Sequence, residues 1–253
     1  MDDSIILEAQ HLRKHFGALV AVQDVSLTVR AGSLHSIIGP NGAGKTTLFN
    51  LLSGALKPTS GHVIYRGRDI TSLPPHRIAH LGIGRSFQIT NVFPNLSVFE
   101  NVRLAAQAMG RDNLNLLIAA SHLRRLNEHA GQVLELVGLQ DKAAALASTL
   151  PHGDKRKLEI GILLASDPQV LLLDEPTAGM ASEQVPQLMA LIAQIRQGGK
   201  KTILLVEHNM DLVMNVSDMI TVMHYGSVLA EGVPARIAAN QQVQQAYLGE
   251  LYH

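Results

Sequence analysis

Polar and apolar residues alternate along Ile6–Phe16 (ILEAQHLRKHF) and again along Leu19–Val29 (LVAVQDVSLTV), the two-residue period of half-buried strands, and the two segments are expected to pair antiparallel. Leu34–Ile38 follows as a short buried strand. GHVIYRGRDI and GIGRSFQIT continue in the same strand-rich manner, separated by the helix-forming HRIAHL behind the Pro74–Pro75 breaker. After Gln88 the texture changes. Ser97–Glu100 has the Ser-x-x-Glu spacing of a capping box and predicts a helix to about Met109, and Leu114–Gly138, with charges interspersed, predicts more helix. Strand patterns return at Val170–Asp174, Thr202–Val206 and Met219–Met223, with a helical segment Glu183–Gln197 between the first two. Buried strands alternating with helices predict a parallel core sheet. Tyr225–Gly226 is placed as a hairpin turn, and Pro234–Leu248 as terminal helices.

Composition narrows the classes. With 253 residues, 46% of them hydrophobic, the chain can bury a large interior as one domain or as a core with a subdomain. Lysine plus arginine equals aspartate plus glutamate at 21 each, and aromatic residues make up 4%, so neither a basic surface nor base-stacking side chains point to nucleic acid. The absence of cysteine removes disulfides, thiolate metal sites and thiol nucleophiles. The opening MDDSIILEAQ is acidic where a secretory leader is basic, and no apolar run reaches the roughly 18 residues of a spanning helix. A membrane role is therefore expected to come through a partner.

The stretch Ile37–Leu52, IIGPNGAGKTTLFNLL, supplies the chemistry. Gly39–Thr46 fits the phosphate-loop pattern G-x-x-x-x-G-K-[ST], directly after a predicted strand and directly before the apolar helix Thr47–Leu52. Gly39, Gly42 and Gly44 let backbone amides turn inward without a side-chain clash, and the helix start adds partial positive charge toward an oligophosphate. Lys45 is expected to reach the β- and γ-phosphates and the Thr46 hydroxyl to ligate Mg²⁺. Downstream, the apolar strand Val170–Leu173 ends in Asp174 and Glu175. Consecutive side chains diverge, which assigns Asp174 to the Mg²⁺ shell and Glu175 to the γ-phosphate side, as general base for a water. His76 and His80 stand at metal-binding spacing with no third ligand evident, and the KRK run Lys155–Lys157 is read as a solvated face.

The ordered set GPNGAGKTT, Gln88, LPHGDKRKLEIG, VLLLDEP and VEH resembles the nucleotide-binding subunit of an ABC transporter over essentially the whole chain. The resemblance implies an α/β fold: a P-loop NTPase core with a mixed sheet, an antiparallel β subdomain and an inserted α-helical subdomain. One ABC ATPase domain would span 1–253, with residues 1–90 and 166–253 as core and 91–165 as helical subdomain. By the same resemblance Phe16 stacks on adenine, and Gly39, Pro40, Asn41, Gly42, Ala43, Gly44, Lys45, Thr46 and Thr47 cradle ATP. Gln88 would sense Mg²⁺ and the γ-phosphate and link to the permease, and His208 would contact the γ-phosphate. LPHGD, Leu150–Asp154, stands at the family's Leu-Ser-Gly-Gly-Gln signature, which caps the ATP held by the opposite subunit; Leu150, Gly153 and Asp154 are the implied contacts.

The match departs in places. Pro151 replaces the serine, His152 the first glycine and Asp154 the glutamine, and Ala181 stands where many members carry an aspartate that touches the other subunit. A weakened composite site follows as the expectation, with a second ATPase subunit, identical or not, as partner. HGDKRKLEIGILLASDP, DEPTAGM and AYLGELY are similar to ATPase subunits of bacterial importers for branched-chain amino acids, and for urea and short amides. Such a subunit works on the cytoplasmic face of the cell membrane with permease subunits, and indirectly with a periplasmic solute receptor. The rivals are a soluble ABC ATPase without a transport role and a regulatory nucleotide-binding module. Balanced charge disfavours the first, and the carboxylate pair with His208 disfavours the second.

Overall fold

The computed structural model describes residues 4–86, 92–108, 120–197 and 201–248. Its first strands, β1 (Ile5–Phe16) and β2 (Leu19–Arg30), pair antiparallel, as their alternation requires. They are followed by the buried strand β3 (Leu34–Ile38), the helix α1 (Lys45–Leu52) and the strands β4 (Ser60–Tyr65) and β5 (Arg68–Asp69). After α2 (Pro75–His80) comes the short strand β6 (Ile83–Arg85). It lies parallel beside β7 (Val170–Asp174). The next elements are α6 (Val185–Gln197), β8 (Thr202–Val206), α7 (Met210–Val216), β9 (Met219–His224), β10 (Ser227–Gly232) and the short helices α8 (Pro234–Ala238) and α9 (Gln241–Leu248). Between β6 and β7 the described residues include the α-helices α3 (Val98–Ala108), α4 (Ala120–Leu136) and α5 (His152–Ala165).

Among the described residues the strands form two sheets, one ordered β2-β1-β4-β5 and one ordered β10-β9-β3-β8-β7-β6. Within the second, β6, β7, β8, β3 and β9 run parallel and only β10 is antiparallel, through the Tyr225–Gly226 turn. Both turn residues have positive φ, 45° and 77°, the backbone of a tight hairpin turn. β1 carries register shifts, one of them across His11, whose φ is 52°. Gly61 on β4 lies against that irregularity: a Cβ there would stand 2.3 Å from the His11 carbonyl oxygen.

β7 and β8 are apolar on both faces because both faces are covered. Leu171 and Leu173, with Ile203 and Leu205, pack into a core shared with α3, α4, α5 and α6. Val170 and Leu172, with Leu204 and Val206, pack into a second core with α1 and the antiparallel sheet. Side chains two apart share a face, so Asp174 falls on the α1 side with Val170 and Leu172.

In the helical region the capping box is half made. Ser97 Oγ accepts the Glu100 N–H at 3.1 Å, but the Glu100 carboxylate turns to Arg103, at 2.6 Å from Nη2. No helix among the described residues is long and apolar enough to cross a membrane.

Candidate functional site

The loop between β3 and α1 is pinned where the sequence places glycine. Gly39 has φ 151° and Gly44, the residue before α1, has φ 97°; a Cβ at either would stand 2.2 Å from Met223 O or 2.4 Å from Ala21 O. Only a residue without Cβ passes between these carbonyls. The Lys45 ammonium donates to the carbonyls of Gly39 at 2.6 Å and Pro40 at 2.9 Å, which folds it back over the loop. Asn41 to Thr47, Phe16, Glu175 and His208 line one cavity of about 320 Å³. Phe16 is 46% exposed, a flat aromatic surface at the rim, with Lys14 Nζ 5.1 Å from its ring centre.

Asp174 lies at the end of β7, its side chain fully buried. Burial pushes its carboxyl above the usual carboxylate range, opposed chiefly by the Arg85 charge, and Glu175 adds to the rise. Its Oδ1 has no hydrogen-bond partner among the described residues. A buried, unpaired carboxylate oxygen on the α1 side of β7, together with the hydroxyl of Thr46 from the phosphate-loop cavity, offers hard oxygens of the kind Mg²⁺ takes. A magnesium triphosphate therefore fits the residues present.

Glu175 diverges from Asp174 as expected, through a backbone bend. Its φ is 48°, uncommon for a residue with a side chain, and its N–H donates to Val206 O at 2.9 Å on the neighbouring strand. The bend brings Oε1 to 2.6 Å from His208 Nε2. Next to His208, the buried Glu207 accepts from the Thr177 N–H and hydroxyl at 3.0 and 2.6 Å through Oε1, and from the His208 N–H at 3.2 Å through Oε2. One carboxylate thus ties the turn after β7 to the turn after β8.

Sequence reasoning missed Glu207 and Arg85. Arg85, on β6, donates to Asn50 of α1, to Ser53 at its C-terminal cap and to Asp174. No motif marks an arginine three residues before Gln88, and only the pairing of β6 with β7 brings it to the site.

Gln88 lies outside the described residues. The signature residues do not join the phosphate-loop cavity of their own chain. Leu150 is buried in the helical core, and Gly153 is buried against Gln184, whose Oε1 would stand 2.5 Å from a Cβ. Pro151 precedes α5 and makes no side-chain cap. Asp154 in its first turn pairs with Lys142 and lies 3.9 Å from Lys157. The KRK run is not a fully solvated face: Arg156 is 14% exposed and pairs with Glu159 at 2.8 Å. His80 Nδ1 bonds the His76 carbonyl at 2.7 Å, an internal helix contact, and no metal-binding group of three or more His, Asp or Glu residues exists among the described residues. A second cavity, about 350 Å³, lies between α2, β6, α3 and α5, with Ala79, Ile83, Ala105 and Ile162 on its walls.

A family model for ABC transporters matches residues 22–178, and one for the branched-chain amino acid ATP-binding cassette transporter matches residues 227–253. The high-affinity branched-chain amino acid transport ATP-binding protein LivG of Salmonella typhimurium is 42% identical over 250 residues, covering 97% of this chain and 98% of LivG. BraF of Pseudomonas aeruginosa, described in the same terms, is also 42% identical, again over 97% of this chain and 98% of its own. A crystal structure of a nucleotide-free ATP-binding cassette from an ABC transporter aligns with a TM-score of 0.84 at 31% identity, over 96% of this chain and 99% of that one. The ADP conformation of a cassette aligns with a TM-score of 0.84 at 29% identity, over 97% and 99% of the two chains.

Proposed function

The chain belongs to the ABC transporter family of ATP-hydrolysing cassettes, and from that premise we propose that it powers an importer of branched-chain amino acids from the cytoplasmic face of the cell membrane. LivG and BraF are named for that solute class, and the C-terminal family match agrees, which favours this reading over urea and short amides. The observation that carries the chemistry is the meeting of Glu175 and His208 beside the phosphate loop.

In this reading Thr46 and Asp174, with Gln88, would hold Mg²⁺, which when bound would supply positive charge against the phosphates. Gly39 to Thr47 supply amides and the Lys45 ammonium to the same oxygens, and Phe16 offers its face to adenine. His208 donates its Nε2–H to Glu175 Oε1, leaving Oε2 to take a proton from the attacking water. The start of α5, with Gly153 and Asp154 and with Leu150 packed beneath it in the helical core, faces the nucleotide of a second ATPase subunit, identical or not, so that ATP closes the pair and hydrolysis reopens it. Residues 91–165 form the helical subdomain of this single ATPase domain. A periplasmic receptor delivers the solute to the permease.

The test is reconstitution. Vesicles carrying the permease subunits, this chain and its partner ATPase should accumulate leucine in an ATP-dependent way, and Glu175→Gln in this chain should lower uptake. Accumulation of urea in place of leucine overturns the solute assignment. No ATP turnover in any assembly overturns the transport-ATPase reading in favour of a regulatory binding module.

A further inference from the structure

Two oxygens proposed to hold magnesium come from different elements: the Thr46 hydroxyl from the first turn of α1, and the Asp174 carboxylate from the end of β7. Backbone hydrogen bonding fixes β7 to β6 and β8, but α1 has no ladder to β7. Something else must set the distance between the two ligands.

Arg85 spans that gap. It closes β6 with a side chain only 12% exposed. Its Nη1 donates to Asn50 Oδ1 at 2.6 Å, in the last turn of α1, and to Ser53 Oγ at 2.9 Å, the residue that caps the helix C-terminus. Its Nη2 lies 3.4 Å from Asp174 Oδ2, the oxygen opposite the unpaired Oδ1. Next to it, Ser86 Oγ accepts the Asp174 N–H at 3.1 Å. The planar guanidinium is thus anchored on the phosphate-loop helix by one edge and directed at the carboxylate by the other, a geometry that an ammonium on a flexible stem does not reproduce.

We propose that Arg85 is a positioning residue for magnesium: it braces Asp174 against α1, so that Oδ1 and the Thr46 hydroxyl stay at one ligand spacing. The proposal rests on the nucleotide reading above and assigns Arg85 no contact with the nucleotide itself. Partners behind a metal ligand typically govern about 10–100-fold in metal affinity.

The experiment uses the full chain and a fluorescent ATP analogue, read as binding and not as turnover. Nucleotide affinity is measured in EDTA and then over a magnesium titration, for the unaltered chain, Arg85→Gln, Arg85→Lys and Asn50→Ala. Arg85→Gln should raise the magnesium midpoint about tenfold or more, with affinity in EDTA unchanged. Arg85→Lys and Asn50→Ala, which keep the positive charge but lose the fork or its anchor, should each show a smaller rise in the same direction. An unchanged midpoint in Arg85→Gln overturns the proposal, and so does an equal loss with and without magnesium, which marks a general loosening of the fold. Should Arg85→Gln fail to fold, an unchanged midpoint in folded Asn50→Ala overturns it equally. Failure of the unaltered chain to bind nucleotide overturns the parent reading and this one with it, whereas normal binding with an unshifted midpoint overturns this one alone.

Discussion

His208 Nε2 lies 2.6 Å from Glu175 Oε1, although the two residues stand 33 positions apart in the chain. The contact exists because β7 and β8 are parallel neighbours in register, Asp174 opposite Val206, and each strand ends one or two residues before its functional side chain. The positive φ at Glu175 then turns its carboxylate toward β8, and the Val206 carbonyl holds the bend through the Glu175 N–H. The carboxylate proposed as catalytic base is thereby oriented by a second side chain before any substrate arrives.

If Glu175 accepts the proton of the attacking water, replacing its carboxylate with an amide removes the base and leaves the shape. Glu175→Gln should slow ATP hydrolysis by about 10²–10⁴-fold, while titration calorimetry finds ATP binding retained. Equal turnover in the two proteins would sink the catalytic assignment.

Glu207 is buried and holds three donors from two turns. Removing its carboxylate strands the Thr177 N–H and hydroxyl and the His208 N–H, at a cost of about 1–3 kcal/mol for a buried unpaired group. Glu207→Ala should lower the urea midpoint accordingly. It should also slow turnover more than it weakens ATP binding, because it loosens the Glu175–His208 pair without touching the phosphate loop.

The three loop glycines should not respond alike to alanine. All three have positive φ, but a Cβ at Gly42 meets nothing within 4 Å, whereas at Gly39 and Gly44 it strikes a backbone oxygen. Gly42→Ala should cost only the left-handed backbone term, about 1–2 kcal/mol. Gly39→Ala and Gly44→Ala add a clash with carbonyls of β9 and β2, and should show the larger fall in thermal midpoint, together with lost nucleotide binding.

How far the sequence reveals this site follows from what each residue depends on. The phosphate loop and the Asp174–Glu175 pair are legible because their chemistry is local: glycines at fixed offsets, a lysine at a helix start, two carboxylates after an apolar strand. β1, β2, β3, β7 and β8 are legible from period or from unbroken apolar runs. β6 is legible as a strand but its partner is not, since three residues carry too little pattern to show which neighbour they pair with. Arg85 and Glu207 escaped for a related reason. Each is an ordinary charged residue by sequence, and only the parallel order β8-β7-β6 converts it into a buried brace. The half-made capping box at Ser97 shows the limit in the other direction, because Arg103 outcompetes the backbone for Glu100.

The stability of the fold toward acid depends in part on His35 in β3. Its ring is almost wholly buried between β3 and β9, with Nε2 2.7 Å from the Thr221 hydroxyl, which in turn lies 2.7 Å from Glu231 Oε2. Burial pushes the imidazole pKa down from 6.5 to about 4, opposed by the carbonyl of Thr28. Between these two values the unfolded chain takes up a proton that the folded chain refuses, so stability must fall as pH falls. The contribution is fully present above pH 6.5 and is lost progressively toward pH 4, to a total of about 3 kcal/mol. Asp174 works in the opposite sense, because burial raises its pKa and the folded chain binds that proton more readily. The His35 part is isolated by comparison with His35→Asn, which keeps a polar group beside Thr221 and does not titrate. Urea unfolding of both proteins from pH 8 to pH 4 should give a steeper loss in the unaltered chain, with the two curves converging only in slope above pH 6.5. Parallel curves across the whole range would show that the buried ring takes no part in acid unfolding.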